Sequence, residues 1–333
     1  MAKRLSFLIL LVTLVALTPF RSPAPLTYIP GEGWYYESYG ENGKWQRPRA
    51  KDQLQVAEEA FTAKNYSTTL HAAHRILRVW PLSDYAPRAE YLVGRCREVK
   101  HKDESAFNAY QKISEKYPKS GEYNEVLLRQ YEIGNRFLGG QWFRVWDILP
   151  LYPSMDETAN LYGKIVANGP YSEVAPHAQL RIGAAREKQK NYPDAVRAYE
   201  LAADRYQNQP EIASDAMYRA GVSWEKQADT AEYDQGAAAK AIAAYTDFMT
   251  FYPDDKRVAD AQKALVKLKG EQVRGSFKIA QFYEANRKWA GAVVYYNDVL
   301  QLDANSPLAA QARQRIDALK PRLNATPATT PAK

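Results

Sequence analysis

The chain has 333 residues, 46% of them hydrophobic and 12% aromatic, with a formal net charge of +7, four histidines and one cysteine. That is enough apolar chain for a large core, while the single cysteine excludes an intramolecular disulfide. A modest positive excess spread along the whole length is no footprint of nucleic-acid binding, and the absence of a Gly-rich phosphate loop or nucleophile motif argues against an enzyme or a bound cofactor.

At the N-terminus a basic MAKR precedes LSFLILLVTLVAL, an apolar run of 13 residues. The run is short for a bilayer span and fits the apolar region of an export signal. Ser22 and Ala24 satisfy the small-residue rule for cleavage after Ala24, although Pro25 then follows the cut. Residues 1–24 are therefore expected to be a signal peptide or, left uncleaved, an anchor, and the protein to be exported to the periplasm. Losing them removes Lys3, Arg4 and Arg21 and lowers the formal charge from +7 to +4. Residues 25–50 form an arm in which Trp34, Tyr35, Tyr36, Tyr39 and Trp45 stand among glycines. It is expected to be ordered, either as a cap on the first hairpin or as a partner-binding arm.

From residue 51 to 320 small, aromatic and proline positions recur at fixed offsets. In GAAREKQKNYPDAVRAYELAADRY, Gly183 is followed by Tyr192 at +9, Ala195 at +12, Tyr199 at +16 and Ala202 at +19. This is the tetratricopeptide (TPR) spacing of paired helices. The first repeat has Ala57, Tyr66, Ile76 and Pro81; the second has Gly94, Ala106, Tyr110, Ile113 and Pro118. The third starts at Gly134 and resumes at DETANLYGKIVANGP after an insertion. The fifth has Ala220, Gly221 and, beyond a spacer, Ala241, Tyr245, Phe248 and Pro253; the sixth runs from KIAQFYEAN through Trp289, Ala292, Tyr296 and Val299. The expected fold is all-α, a TPR right-handed α-solenoid of about six helical hairpins, each too small to bury its own apolar face.

The physical basis of the spacing is a hole opposite a knob: Gly94 or Gly183 on one helix, Tyr110 or Tyr199 on its partner. Ala89, Leu92, Val93 and Cys96 fall at i, i+3, i+4 and i+7, a buried stripe on which Cys96 is a small hydrophobe. Arg88, Tyr91 and Arg95 lie on another face. In the TPR family that face lines the concave groove, so these three, with Phe61, Tyr131 and Asn135 in neighbouring repeats, are peptide-binding candidates; the plainer expectation is a solvated charged face.

The insertion at 139–154 packs Trp142, Phe143, Trp146, Ile148, Leu149, Leu151 and Tyr152 into one short loop. Such a patch must be covered, by the chain's own hairpins or by a partner or membrane interface, which makes Trp142, Phe143, Trp146 and Tyr152 contact candidates. His71 and His74 share a helical face but lack a third ligand, so a surface pair is expected and no metal. Residues 321–333 read as a disordered tail.

The opening KDQLQVAEEAFTAKNYSTTLHAAHRILRVWPLSDYAPRAEYLVGRC and, more specifically, IAQFYEANRKWAGAVVYY resemble the BamD family (also called YfiO or ComL), TPR proteins of the outer-membrane β-barrel assembly machinery. The resemblance implies a non-enzymatic periplasmic scaffold. It places unfolded outer-membrane protein peptides near Arg88, Tyr91 and Arg95, and an insertase-like partner near Tyr283, Trp289 and Tyr296. Members are usually lipoproteins, whereas Cys96, the sole cysteine, is far from any lipobox position; an interfacial contact by Trp142, Phe143 and Trp146 is one substitute. Two other readings are a Tol-Pal-associated TPR coordinator, which would carry heptads before residue 51, and a helical platform of a peptidoglycan-cleaving enzyme, which would need a catalytic domain that the first 50 residues cannot hold.

Overall fold

The computed structural model describes residues 26–29, 33–36, 45–145, 149–230 and 235–324. The expected signal peptide, residues 25, 30–32 and 37–44 of the arm, Trp146 and the tail after Asn324 lie outside the described residues. The chain divides into two units, residues 1–126 and 127–333.

In the first unit β1 (Leu26–Ile29) pairs antiparallel with β2 (Gly33–Tyr36), Leu26 opposite Tyr36. Two helical hairpins follow: α1 (Ala50–Thr62) with α2 (Tyr66–Val79), and α3 (Ala86–Val99) with α4 (Asp103–Lys116). Their core is Leu54, Ala57, Ala72, Ala73, Ile76, Ala89, Leu92, Val93 and Ala109, and Cys96 is also fully buried. The end of the arm is tied to the first hairpin. Gln53 Nε2 donates to the Trp45 carbonyl at 3.0 Å, Arg47 N donates to Gln53 Oε1 at 2.8 Å, and the Trp45 ring stacks 5.8 Å from His71.

Helix α5 (Tyr123–Leu138) begins at the end of the first unit and lies mostly in the second. The second unit continues with a strand pair, β3 (Phe143–Val145) and β4 (Leu149–Tyr152), inside the insertion, where a short aromatic loop was expected. Then come α6 (Met155–Asn168), α7 (Ala175–Lys188), α8 (Tyr192–Arg205), α9 (Pro210–Thr230), α10 (Gln235–Phe251), α11 (Val258–Ala285), α12 (Trp289–Leu302) and α13 (Pro307–Asn324). Consecutive pairs from α5/α6 to α11/α12 are hairpins, and α13 packs on the last. Helix α13 carries residues 321–324 of the expected tail as helix. Helix α11 is a single helix of 28 residues, so the sixth repeat's first helix starts twenty residues before the KIAQ segment.

The holes and knobs meet as the spacing requires. A Cβ added at Gly94 or Gly183 would lie 2.7 Å from Cδ1 of Tyr110 or Tyr199, and one at Gly134 or Gly221 2.8 Å from Cε1 of Tyr162 or Tyr245. All four rings are buried. Each hairpin of ordinary length turns in the same way: the residue seven after the hole is left-handed, with φ of 57° at Lys64, 55° at His101, 60° at Lys190 and 58° at Arg287. The next residue starts the second helix, and in two hairpins it is a capping asparagine. Asn65 accepts from Thr68 N at 3.2 Å and Asn191 from Asp194 N at 3.4 Å. At the far end, successive hairpins are fastened by tyrosine hydroxyls: Tyr117 donates to the Pro81 carbonyl at 2.9 Å and Tyr206 to that of Pro170 at 3.2 Å.

Gly183→Ala is expected to destabilise the fold by about 1–3 kcal/mol, because the buried Tyr199 ring has nowhere to move. Gly163→Ala, in the interior of α6 where an added Cβ meets nothing within 4 Å, is expected to stabilise by about 0.5–1 kcal/mol. Thermal melts of the two variants check the pair.

Candidate functional site

The first-helix face of the first unit is built from α1 and α3. Tyr91 is its floor, only 6% exposed. The Tyr91 hydroxyl donates to Glu125 Oε1 at 3.2 Å and accepts from an Arg95 terminal nitrogen at 3.1 Å. Local periodicity places Tyr91 outside the buried stripe, and these tertiary contacts bury it all the same. The walls are cationic. The Arg88 guanidinium lies 5.1 Å over the Tyr91 ring and pairs with Glu58 at 2.9 Å; that of Arg95 lies 5.8 Å from the Phe61 ring and 5.9 Å from Tyr91. Arg88 and Glu58 are both well exposed, and such pairs contribute little stability. A carboxylate or carbonyl from another chain can therefore replace Glu58 at small cost.

In the second unit Tyr131 packs 5.9 Å from Tyr162 and 6.5 Å from His177, and Arg181 Nε reaches its hydroxyl at 3.5 Å. His177 and Arg181 thus extend this face onto α7, which the repeat offsets did not indicate. Asn135 is committed to the fold, its Oδ1 accepting from the buried Tyr162 hydroxyl at 2.7 Å. Phe143 is also turned inward, stacked 4.1 Å from Phe137 at an interplanar angle of 15°. Trp142 beside it is 50% exposed. Trp146 lies outside the described residues, and Tyr152 pairs with Phe143 in the β3–β4 register.

At the C-terminal end, Tyr296 is the knob of its hairpin, 1% exposed, and presents no surface to a partner. Tyr283 is half-buried against Gly291 and Tyr295. Trp289 lies under the Arg322 guanidinium at 4.8 Å and lines an open cavity of about 570 Å³ with Gln281, Gln311, Arg315 and Arg322.

One regularity at these holes was not read from the sequence. The residue four after the hole is a glutamate that accepts from the knob hydroxyl: Tyr110 to Glu98 at 2.8 Å, Tyr199 to Glu187 at 2.7 Å, Tyr245 to Glu225 at 2.8 Å and Tyr296 to Glu284 at 2.8 Å. The signal was available as a fixed offset but hidden among many exposed helical glutamates. Burial, aided by the adjacent carboxylate, pushes the phenols of Tyr110, Tyr199 and Tyr245 far above their ordinary value, so they stay protonated as donors. Burial likewise pushes the Cys96 thiol up to about 11. His71 and His74 are exposed. Among the described residues no three of His, Cys, Asp and Glu gather as a metal site requires, and no helix is long and apolar enough to cross a membrane.

The YfiO family model, described as outer membrane lipoprotein, matches residues 157–327, just over half of the chain. The chain belongs to the YfiO family. The match covers all but the first turn of the helices from α6 to α13, whereas the Arg88–Tyr91–Arg95 face lies upstream of it. Solved structures with similar chains include a tetratricopeptide repeat protein from Parabacteroides merdae, at 10% identity and a TM-score of 0.34, covering 81% of this chain and 98% of that one. Another is the C-terminal part of a TPR repeat-containing protein from Cytophaga hutchinsonii, at 13% identity and a TM-score of 0.25, covering 78% and 98%. The Pseudomonas aeruginosa pilF structure shares 12% identity at a TM-score of 0.27, covering 82% and 97%. No curated protein matches the chain in sequence.

Behind the first-unit face, Glu90 is buried, its side chain 7% exposed with Lys112 Nζ at 3.5 Å. Burial pushes its carboxyl above the ordinary value, with Lys112 and Arg97 pulling the other way. The folded unit therefore protonates Glu90 at higher pH than the unfolded chain does. Its contribution to stability is full below the ordinary glutamate value and lost as pH rises through the folded one. Glu90→Gln is expected to stabilise the first unit at neutral pH by on the order of 1 kcal/mol and to change little near about pH 4. Melts of the variant at both pH values test the sign.

Proposed function

We propose that this chain is a non-enzymatic periplasmic scaffold in the assembly of outer-membrane β-barrel proteins, and that its work is to bind other proteins. Membership in a family of outer membrane lipoproteins and a fold made of TPR hairpins support that setting. The observation that carries the binding role is the Arg88–Tyr91–Arg95 face. A buried aromatic floor holds two guanidiniums in place above it, and they offer several N–H donors beside the accessible edge of the ring, which suits the carbonyls and carboxylates of an extended peptide. Phe61 widens the floor, and Tyr131 with His177 and Arg181 supplies a comparable face in the second unit.

Unfolded outer-membrane protein segments are the ligands assigned to the first-unit face. An insertase-like partner is assigned to the C-terminal end, where Tyr283 and Trp289 are partly accessible beside the 570 Å³ cavity. Trp142, half exposed at the start of the insertion, is its contact with a partner or the membrane interface, together with Trp146 and Tyr152 of the same loop.

Charge reversal of both walls, Arg88→Glu with Arg95→Glu, is expected to weaken binding of unfolded outer-membrane protein peptides at least about tenfold, since two charge-assisted contacts are lost. Fluorescence anisotropy with labelled peptides measures it, and affinity capture from solubilised envelopes reads the larger partner. Unchanged peptide affinity would remove the role from this face. Capture of peptidoglycan-linked or Tol-Pal proteins with no barrel insertase would overturn the assembly role.

A further inference from the structure

The end of the first unit where α2 runs into the loop before α3 combines cationic and apolar surface. Helix α2 carries Arg75 and Arg78 in its last turns and no aspartate or glutamate at all. The Arg75 guanidinium lies 5.8 Å from the Trp80 ring. Beyond the Trp80–Pro81 step Leu82 is 96% exposed, and Val79 is exposed beside it. The Tyr117 hydroxyl donates to the Pro81 carbonyl at 2.9 Å, which brings the C-terminal end of α4 to the same loop. Lys116 and Lys119 flank Tyr117, are exposed and form no ion pair among the described residues. Of the acids on these segments, Asp84 is in the loop, Glu115 accepts from Gln111, and Glu90 is buried against Lys112. An almost fully exposed leucine thus shares this end of the unit with Arg78, Lys116 and Lys119.

We propose that this end of the first unit seats on an anionic phospholipid surface, with Leu82 entering the apolar layer and Lys116, Lys119 and Arg78 meeting the headgroup phosphates. Nothing in the fold uses the Leu82 side chain, and a residue so exposed stands proud of its surroundings. A soft bilayer accepts such a projection anywhere, whereas a protein partner needs a pocket shaped for it. Removing leucine from water is favourable, and each cation held near an anionic bilayer adds attraction that salt screens. A projecting apolar residue and basic side chains at the same end together make the two weak signals that peripheral attachment requires. The inference does not depend on which proteins the scaffold binds.

The test is flotation of the full chain with vesicles of phosphatidylcholine alone and of phosphatidylcholine mixed with phosphatidylglycerol. The basic and apolar N-terminal stretch is common to the parent and the variants, so the readout is the change between them in the preference for the anionic vesicles. Lys116→Gln with Lys119→Gln is expected to cut that preference about tenfold or more at low salt. Leu82→Ser is expected to weaken binding to the anionic vesicles about tenfold. Neither variant removes a buried group, so melting temperatures are expected to stay unchanged. An intact preference in the lysine variant would overturn the proposal. So would a neutral Leu82→Ser combined with competition by soluble polyglutamate, which would assign the patch to an acidic protein segment.

Discussion

A buried tyrosine in a notch that only glycine or alanine can provide is the interaction on which the rest of the structure depends. An aromatic ring of this size removes about 150–250 Å² from water, a gross transfer of roughly 4–6 kcal/mol at the usual area coefficient. The hydroxyl at its tip would forfeit about 1–3 kcal/mol of that if left unpaired in the core. The glutamate one helical turn beyond the notch prevents the loss, and the same turn places the carboxylate at the hairpin's edge. There it collects a cation from the first helix of the next repeat: Lys226 reaches Glu187 at 3.1 Å, Lys267 reaches Glu225 at 3.1 Å, and Arg315 Nε reaches Glu284 at 3.1 Å. One residue type thus closes the hairpin inwardly and couples it sideways. Stacking of repeats follows from satisfying the tyrosine.

This arrangement also decides which positions are left for recognition. Knob, hole, glutamate and the turn residue after it are fixed by packing, so variation is confined to the outward residues of each first helix. On α3 these are Arg88 and Arg95, and their neighbours are other groups of the same rigid helices. On the proposed reading, side chains held in this way would lose little freedom on meeting a peptide, which favours affinity at a shallow face. Tyr91 shows the limit of that freedom. Its ring is spent as the floor, and a partner would touch it only along the edge left between the two guanidiniums.

The repeats were legible because hole and knob belong to side-chain classes that cannot be exchanged: a bulky residue at Gly94 or Gly183 would strike a ring. Other features were hidden for equally physical reasons. The left-handed turn residues are Lys64, His101, Lys190 and Arg287, none of them the glycine that usually marks this conformation. The extra turns of α11 were hidden because the repeat frame starts only at KIAQ, although ADAQKALVKLKGEQVRGSF holds no proline and its two glycines are absorbed in the helix interior. The burial of Tyr91 depends on Glu125, 34 residues away, which no local period encodes. Of the contact candidates, periodicity identified faces but could not tell Asn135 and Tyr296, which serve the fold, from Arg88 and Trp142, which do not.

The third hairpin shows what happens where the pattern lapses. Position four after Gly134 is Leu138 in place of glutamate, and the Tyr162 hydroxyl goes instead to the neutral amide of Asn135 at 2.7 Å. A neutral acceptor gives a lysine or arginine of the next repeat nothing to neutralise. The tight turn lapses at the same place: the positive φ belongs to Gly140, at 103°, and the chain leaves the helix for β3. With the usual turn gone, an insertion costs only its own closure entropy, which grows slowly with length. Phe143 stacked on Phe137 anchors one end of it to α5. The fifth hairpin shows that the carboxylate alone does not bar lengthening, since its first helix runs on to Thr230 while Tyr245 keeps Glu225 at 2.8 Å; what both lengthened hairpins lack is the left-handed residue seven after the hole, and it is that turn, more than the tyrosine's acceptor, that keeps the other hairpins short.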